Sequence, residues 1–218
     1  MDTAQSAHVP GKADGRREVG ERTRERLLQA TRQLLAERGE DAIRLRDVTD
    51  AAQVNVAAVN YHFGSLKALY RAAIKEAIDT ILGETIEQLS ELSDDATLEE
   101  IVAAWIRPVI AARSGPCNER RAFMRITARA ANDPPQELCA WMTEAVARVH
   151  EAVSAHLRHA LPHVPEPELR FRIACAAGIL HSLRTDGMQA ELGDKSAEEL
   201  ERYLVPVIGG ALGAGVCP

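Results

Sequence analysis

From Glu21 onward, apolar side chains return every three or four positions, segment after segment, and almost nowhere alternate. That is the period of the α-helix, which sets residues i, i+3, i+4 and i+7 on one face. A chain patterned this way buries its apolar faces by packing helix on helix. The expected fold class is therefore all-α, with about nine helices. Composition agrees. Ala, Leu, Glu and Arg dominate, and aromatics are only 4%, which favours helix over strand. With 46% hydrophobic and 27% charged residues in 218, the chain can bury a sizeable core and does not have the make-up of a disordered polymer.

The helix limits follow from breakers and caps. Residues 1–20 mix Gly, Asp, Arg, Ala and Pro without a period and read as a mobile tail. A first helix is expected over Glu21–Glu37, with Leu27, Leu28, Leu34 and Leu35 inward and Gly39 as its left-handed cap. Two short helices follow, Arg46–Ala52 and Val56–Phe63, joined by a turn at Gln53-Val54-Asn55. Val56, Val59 and Phe63 are expected to face inward. Gly64-Ser65 breaks the chain, and Ser65 is placed to cap a long helix from Leu66 to about Ser90. Thr97 and Glu100 stand at capping-box spacing and start a helix to about Arg113, with a kink expected at Pro108. Further helices are expected over Asn118–Ala131, from Asp133-Pro134 to about Leu161, over Glu168–Arg184, and over Ser196–Leu212. Thr185–Lys195 reads as a loop. The domain division expected is a tail (1–20), a head of short helices (21–66) and a helical body (67–218).

Several function classes are disfavoured. No apolar stretch reaches the length of a membrane span, the longest being near Ile173–Leu180 and Val205–Val216. The polar N-terminus does not fit a signal peptide. The four cysteines, Cys117, Cys139, Cys175 and Cys217, show no CxxC spacing and fit reduced thiols in a cytoplasmic protein. There is no Gly-rich phosphate loop, GxSxG, HExxH or paired Cys/His set, so neither an enzyme nor a cofactor or metal is expected. His156, His159 and His163 have helical spacing, but Pro162 interrupts it, and a solvent-facing row explains them. Net charge is −6, unevenly placed: residues 1–70 hold 11 Lys/Arg against 10 Asp/Glu, and the remainder holds 15 against 22. A near-neutral head on an acidic body suits a chain whose first part alone meets an anion.

The stretch from Leu45 to Leu69, LRDVTDAAQVNVAAVNYHFGSLKAL, carries the chemistry. Two short helices across a three-residue turn, packed by a longer one before them, make a helix-turn-helix. If the second helix buries Val56, Val59 and Phe63, then Asn55, Ala57, Ala58, Asn60, Tyr61 and His62 face outward. Ala57 and Ala58 are small enough to approach a major-groove floor and touch a thymine methyl, and Asn60 is a candidate adenine reader. Tyr61 and His62 suit phosphate contacts, and Arg46 joins the DNA-binding set. Ser65 and Lys67 mark a helix start with free N–H groups and a cation beside it. The arginines of the first helix, Arg22, Arg24 and Arg26, are read as a solvated face, and one of Arg16, Arg17 or Arg22 as a possible phosphate contact.

These residues resemble the DNA-binding domain of the TetR/AcrR family of bacterial regulators. The matching positions are Arg46-Asp47-Val48, Ala51-Ala52, Val54-Asn55-Val56, Tyr61-His62-Phe63-Gly64-Ser65 and Lys67-Ala68-Leu69, preceded by RERLLQATRQLLAERG at Arg24–Gly39. Val59–Ser65 is closest to a subset containing fatty-acid-metabolism regulators. Two positions depart. The turn residue, usually glycine, is Gln53, and the lysine that often follows the Ser is displaced to Lys67. The resemblance implies a ligand-responsive repressor that binds double-stranded operator DNA as a homodimer through its last two helices. It also implies a pocket for a small apolar or amphipathic effector in the body. Candidate pocket residues are Tyr70, Ile74, Ile78, Trp105, Phe123, Met124, Trp141, Met142 and His181. Arg125 and Arg129, one turn apart, could hold an anionic group or simply face solvent. Independently of the resemblance, Glu168–Arg184 is apolar nearly all round and Leu200–Leu212 carries a wide apolar stripe, which suits a four-helix bundle with a symmetry mate. The alternative is a helical interaction module whose helix-turn-helix no longer binds DNA.

Overall fold

The computed structural model describes residues 12–38, 40–112, 135–183 and 185–215. The first helix, α1, spans Lys12–Arg38, so it begins well inside the stretch expected to be a tail. Its added turns carry i,i+4 pairs: Arg17 with Glu21 at 3.1 Å and Arg22 with Glu18 at 3.4 Å. Thr23 also donates to the Val19 carbonyl at 2.9 Å. Such pairs each add a few tenths of a kcal/mol to an exposed helix, and the core-facing turns further on supply the nucleus they extend.

A 3-10 turn at Glu40–Ala42 leads to α2 (Leu45–Ala52) and α3 (Val56–Phe63). Then come α4 (Leu66–Ser90) and α5 (Leu98–Ala111), the latter holding Pro108 within it. After a 3-10 turn at Gln136–Leu138, α6 runs Cys139–Ala160, α7 Glu166–Ser182, α8 Asp186–Leu192 and α9 Ala197–Gly213. The described residues thus hold nine α-helices and no strand. The stretch expected to be a loop before the last helix contains α8, a single short helix too brief to show a period. Gly39, the expected Asn118–Ala131 helix with Phe123, Met124, Arg125 and Arg129, the Asp133-Pro134 cap, Cys117 and Cys217 lie outside the described residues.

Local chemistry fixes the helix starts. Ser65 Oγ accepts from the Ala68 N–H at 3.1 Å. Thr97 Oγ accepts from the Glu100 N–H at 3.2 Å, while the Glu100 carboxylate takes the Thr97 N–H at 2.8 Å. Ser196 and Glu199 form a second reciprocal pair ahead of α9. Each cap satisfies an N–H that the helix cannot, worth about 1 kcal/mol.

Two apolar cores result. Leu27, Leu28, Leu34, Leu35, Ile43, Val48, Val59, Leu69 and Tyr70 form the head core from α1 to α4. The body core gathers Ile81 and Leu89 of α4, Ile101, Trp105 and Ile106 of α5, Val149, Val153 and Leu157 of α6, Ile173 and Leu180 of α7, and Leu200, Leu204 and Ile208 of α9. Helix α4 belongs to both, so one rigid rod joins them. Among the described residues no helix is long and apolar enough to cross a membrane.

Candidate nucleic-acid interface

The turn between α2 and α3 decides how the second helix is presented. Gln53 sits there at φ 51°, ψ 48°, the left-handed conformation. A β-carbon is strained in that region by about 1–2 kcal/mol. Part of that strain is offset by Arg26 of α1, whose guanidinium donates to the Gln53 carbonyl at 3.1 Å and to its side-chain oxygen at 3.4 Å. Asn55 then caps α3, its side-chain oxygen accepting from the Ala57 N–H at 2.9 Å. Gly64, at φ 77°, closes α3 in a conformation that only glycine adopts freely.

Helix α3 docks through Val59, which is fully buried, with Ala58, His62 and Phe63 half-buried beside it. Arg24 of α1 lies over the Phe63 ring at 5.6 Å, and the Tyr61 and His62 rings meet edge to face at 4.8 Å. The outward face therefore consists of Asn55, Val56, Ala57, Asn60 and Tyr61, with Tyr61 84% exposed. Two expectations are corrected. Val56 is not inward; it is 38% exposed. Ala58 and His62 are not wholly outward. Three apolar residues on an eight-residue helix define its inner arc in more than one way, and packing through residues 58, 59, 62 and 63 rotates Val56 to the outside.

Arg46 is exposed on α2, and Ser65 is committed to its cap. Lys67 is exposed but paired: its ammonium lies 2.7 Å from Glu137, just ahead of α6. Arg71, one turn along α4, reaches Glu137 at 3.4 Å and Glu40 at 3.1 Å. Lys67, the residue's own backbone N–H and Arg71 hold the Glu137 carboxyl down at about 2. Head and body are thus tied by charge where α4 begins.

Of the described pocket candidates, five come together at one cluster and Trp105 and His181 lie apart from it. Tyr70 is buried in the head core and donates its hydroxyl to the Ile43 carbonyl at 3.1 Å. Burial, with Glu40 and Asp47 nearby, pushes its phenol up to about 12. Ile74 and Ile78 belong to the same cluster, with Trp141 and Met142 packed against it and Lys75 over the Trp141 ring at 5.2 Å. Trp105 lies in the body core, its ring meeting His150 edge to face at 6.4 Å. Burial lowers the His150 pKa. His181 is half-buried on α7. His159 and His163 are exposed and His156 half-buried. Among the described residues no group of three His, Cys, Asp or Glu could hold a metal ion.

The model for bacterial regulatory proteins of the tetR family matches residues 27–73. The model for the tetracyclin repressor-like C-terminal domain matches residues 103–211, half of the 218-residue chain. The chain belongs to the TetR family. No curated protein matches it. Among solved structures, a transcriptional regulator from Rhodococcus sp. Rha1 is 26% identical, with a TM-score of 0.65 over 89% of this chain and 99% of that one. The fatty acid degradation regulator FadR from Bacillus halodurans shares the fold at 14% identity and a TM-score of 0.69, over 87% and 96%. So does a regulator from Saccharomonospora viridis solved with choline, at 16% and 0.65, over 86% and 96%. Membership of the TetR family makes this a DNA-binding transcriptional regulator and not an enzyme.

Four structurally important residues of this TetR-family chain escaped the sequence reading: Arg26, Val56, Arg71 and Glu137. Arg26 had a faint signal, a charge directly before buried Leu27 and Leu28 on the helix that packs against a non-glycine turn. Glu137 had none, because its partners lie about seventy residues away along the chain.

Proposed function

We propose that this regulator is a repressor that binds its operator as a homodimer and is released by a small apolar or amphipathic molecule bound in the helical body. The observation that carries the reading is the exposed face of α3, with Tyr61 projecting 84% into solvent while Val59 anchors the helix behind it. A helix held so firmly from behind and left open in front suits a major groove.

A second set of exposed apolar groups supports the dimer. Helices α7 and α9 each bury one stripe within the subunit, Leu169, Ile173, Ala176 and Leu180 on one, Leu200, Leu204, Ile208 and Leu212 on the other. Each also leaves apolar groups outside: Phe171 at 69%, Tyr203 at 54% and Val207 at 56%. A second copy would cover them in a four-helix bundle. Release would act through α4. Its N-terminal turns lie in the head core and its later turns in the body core, so a shift in the body tilts α3 and disfavours the operator. The amphipathic effector class is consistent with the fatty acid role of one structural neighbour, and the choline complex of another shows that a small molecule is held on this fold.

The test uses purified protein and a fluorescently labelled fragment of its own promoter. The wild type binds at low salt, and Tyr61→Ala loses at least tenfold in affinity, as expected for a lost anchor worth more than about 1.4 kcal/mol. Equal binding by both would sink the reading. The module that no longer binds DNA loses its main motive, since Gln53 adopts the left-handed turn and α3 remains fully formed.

A further inference from the structure

We propose that α3 selects its operator through thymine methyl groups, with Val56 and Ala57 forming the methyl-contacting pair and Asn60 reading adenine, so that α3 itself requires no guanine. The inference rests on the reading of α3 as the DNA-facing helix and adds which base edges it prefers.

The outward face narrows the possibilities by elimination. Ala58, Val59, His62 and Phe63 are turned toward the subunit. Asn55 faces outward, but its side-chain oxygen is engaged with the Ala57 N–H. It cannot offer the paired acceptor and donor that an adenine edge needs. Val56, Ala57, Asn60 and Tyr61 remain. None is a cation, and α3 contains no Lys or Arg. The commonest guanine contact, a bidentate Arg or Lys to O6 and N7, is therefore not available from this helix. Two adjacent apolar side chains stand in its first turn, where a recognition helix meets base edges. Val56 is β-branched and apolar, yet it stays 38% exposed on the outward face. The matching major-groove feature is the thymine 5-methyl, the apolar group that direct readout recognises. Asn60 follows Val56 by four residues, on the same face, with an amide able to pair with adenine N6 and N7.

The experiment begins by selecting duplexes from a randomised-core pool with the full-length protein. Each thymine of the best half-site is then replaced in turn by deoxyuridine, which removes only the methyl. The wild type loses about fourfold in affinity at one or more positions, the value of one buried methyl. Val56→Ala loses that sensitivity at one of them while binding the deoxyuridine duplex as the wild type does. Because Val56 is exposed, the variant should fold, and Val56→Ser, which carries no methyl, gives the same readout should it not. Half-sites that bind tightly with no thymine sensitive to methyl removal overturn the proposal and leave DNA binding intact. So does a Val56→Ala protein with unchanged sensitivity at every position. Failure to enrich any duplex overturns the DNA-binding reading, and this inference with it.

Discussion

Gln53 concentrates strain in the connection that orients α3. Its left-handed backbone disfavours any L side chain, and the two Arg26 contacts hold it in place. Gln53→Gly should lose no stability and gain up to about 1 kcal/mol, whereas Gln53→Val should cost at least about 1 kcal/mol, because a β-branched residue tolerates positive φ poorly. Urea midpoints at unchanged slope would show both. Arg172 is the second residue whose role is out of proportion to its exposure of 7%. From α7 it donates to Glu168, to the Leu212 carbonyl at 2.5 Å and to the Gly215 carbonyl at 3.3 Å, and so ties α7 to the end of α9. Arg172→Ala strands the half-buried Glu168 carboxylate and two carbonyls, and should destabilise by about 3 kcal/mol. Arg172→Lys should recover only part, lacking the planar fork. Thermal melts at fixed protein concentration would distinguish them.

Among the helices, what was legible is what is local. Ser65 capping α4, the Thr97–Glu100 box, and the limits of α3 and α4 depend on residues within one turn of each other, and these the sequence states directly. What was not legible depends on distant partners. The side on which Val56 falls and the division of Tyr70, Ile74, Ile78 and Trp141 from Trp105 are decided by packing between helices far apart in the chain. An apolar helical face announces that it is covered and not by what. The same distance hid Glu137. Its carboxyl lies at about 2 against an ordinary value of 4.5, held there first by Lys67. A depressed carboxylate stabilises fully above its unfolded value and loses that contribution as pH falls toward the folded one. Glu166, held at about 2 by Arg158 and Arg170, acts in the same direction. Stability should therefore decline between about pH 4.5 and pH 2 through these two groups, and Glu137→Gln should flatten that limb in an acid unfolding titration.

For the molecule as a whole, α7 and α9 are half-covered helices at the end of the chain. Tyr203→Glu with Val207→Glu places two carboxylates in the face expected to meet a second copy. The doubly substituted protein should run as a monomer by light scattering, and its melting temperature should be independent of protein concentration, whereas the wild type's should rise with it. An unchanged mass would exclude this face from the dimer. Within the subunit, α4 leaves the head core only to enter the body core, and the Glu40–Arg71–Glu137–Lys67 chain bridges the same junction at its surface. Lys67 therefore arrives at any polyanion already neutralised. A phosphate that takes it evicts a protein carboxylate as well as a condensed ion, and the carboxylate left beside the duplex draws a cation back. The electrolyte dependence of association would then tally one contact fewer than the interface contains, and freeing the ammonium through Glu137→Gln would steepen it by about 0.9 in the logarithmic slope.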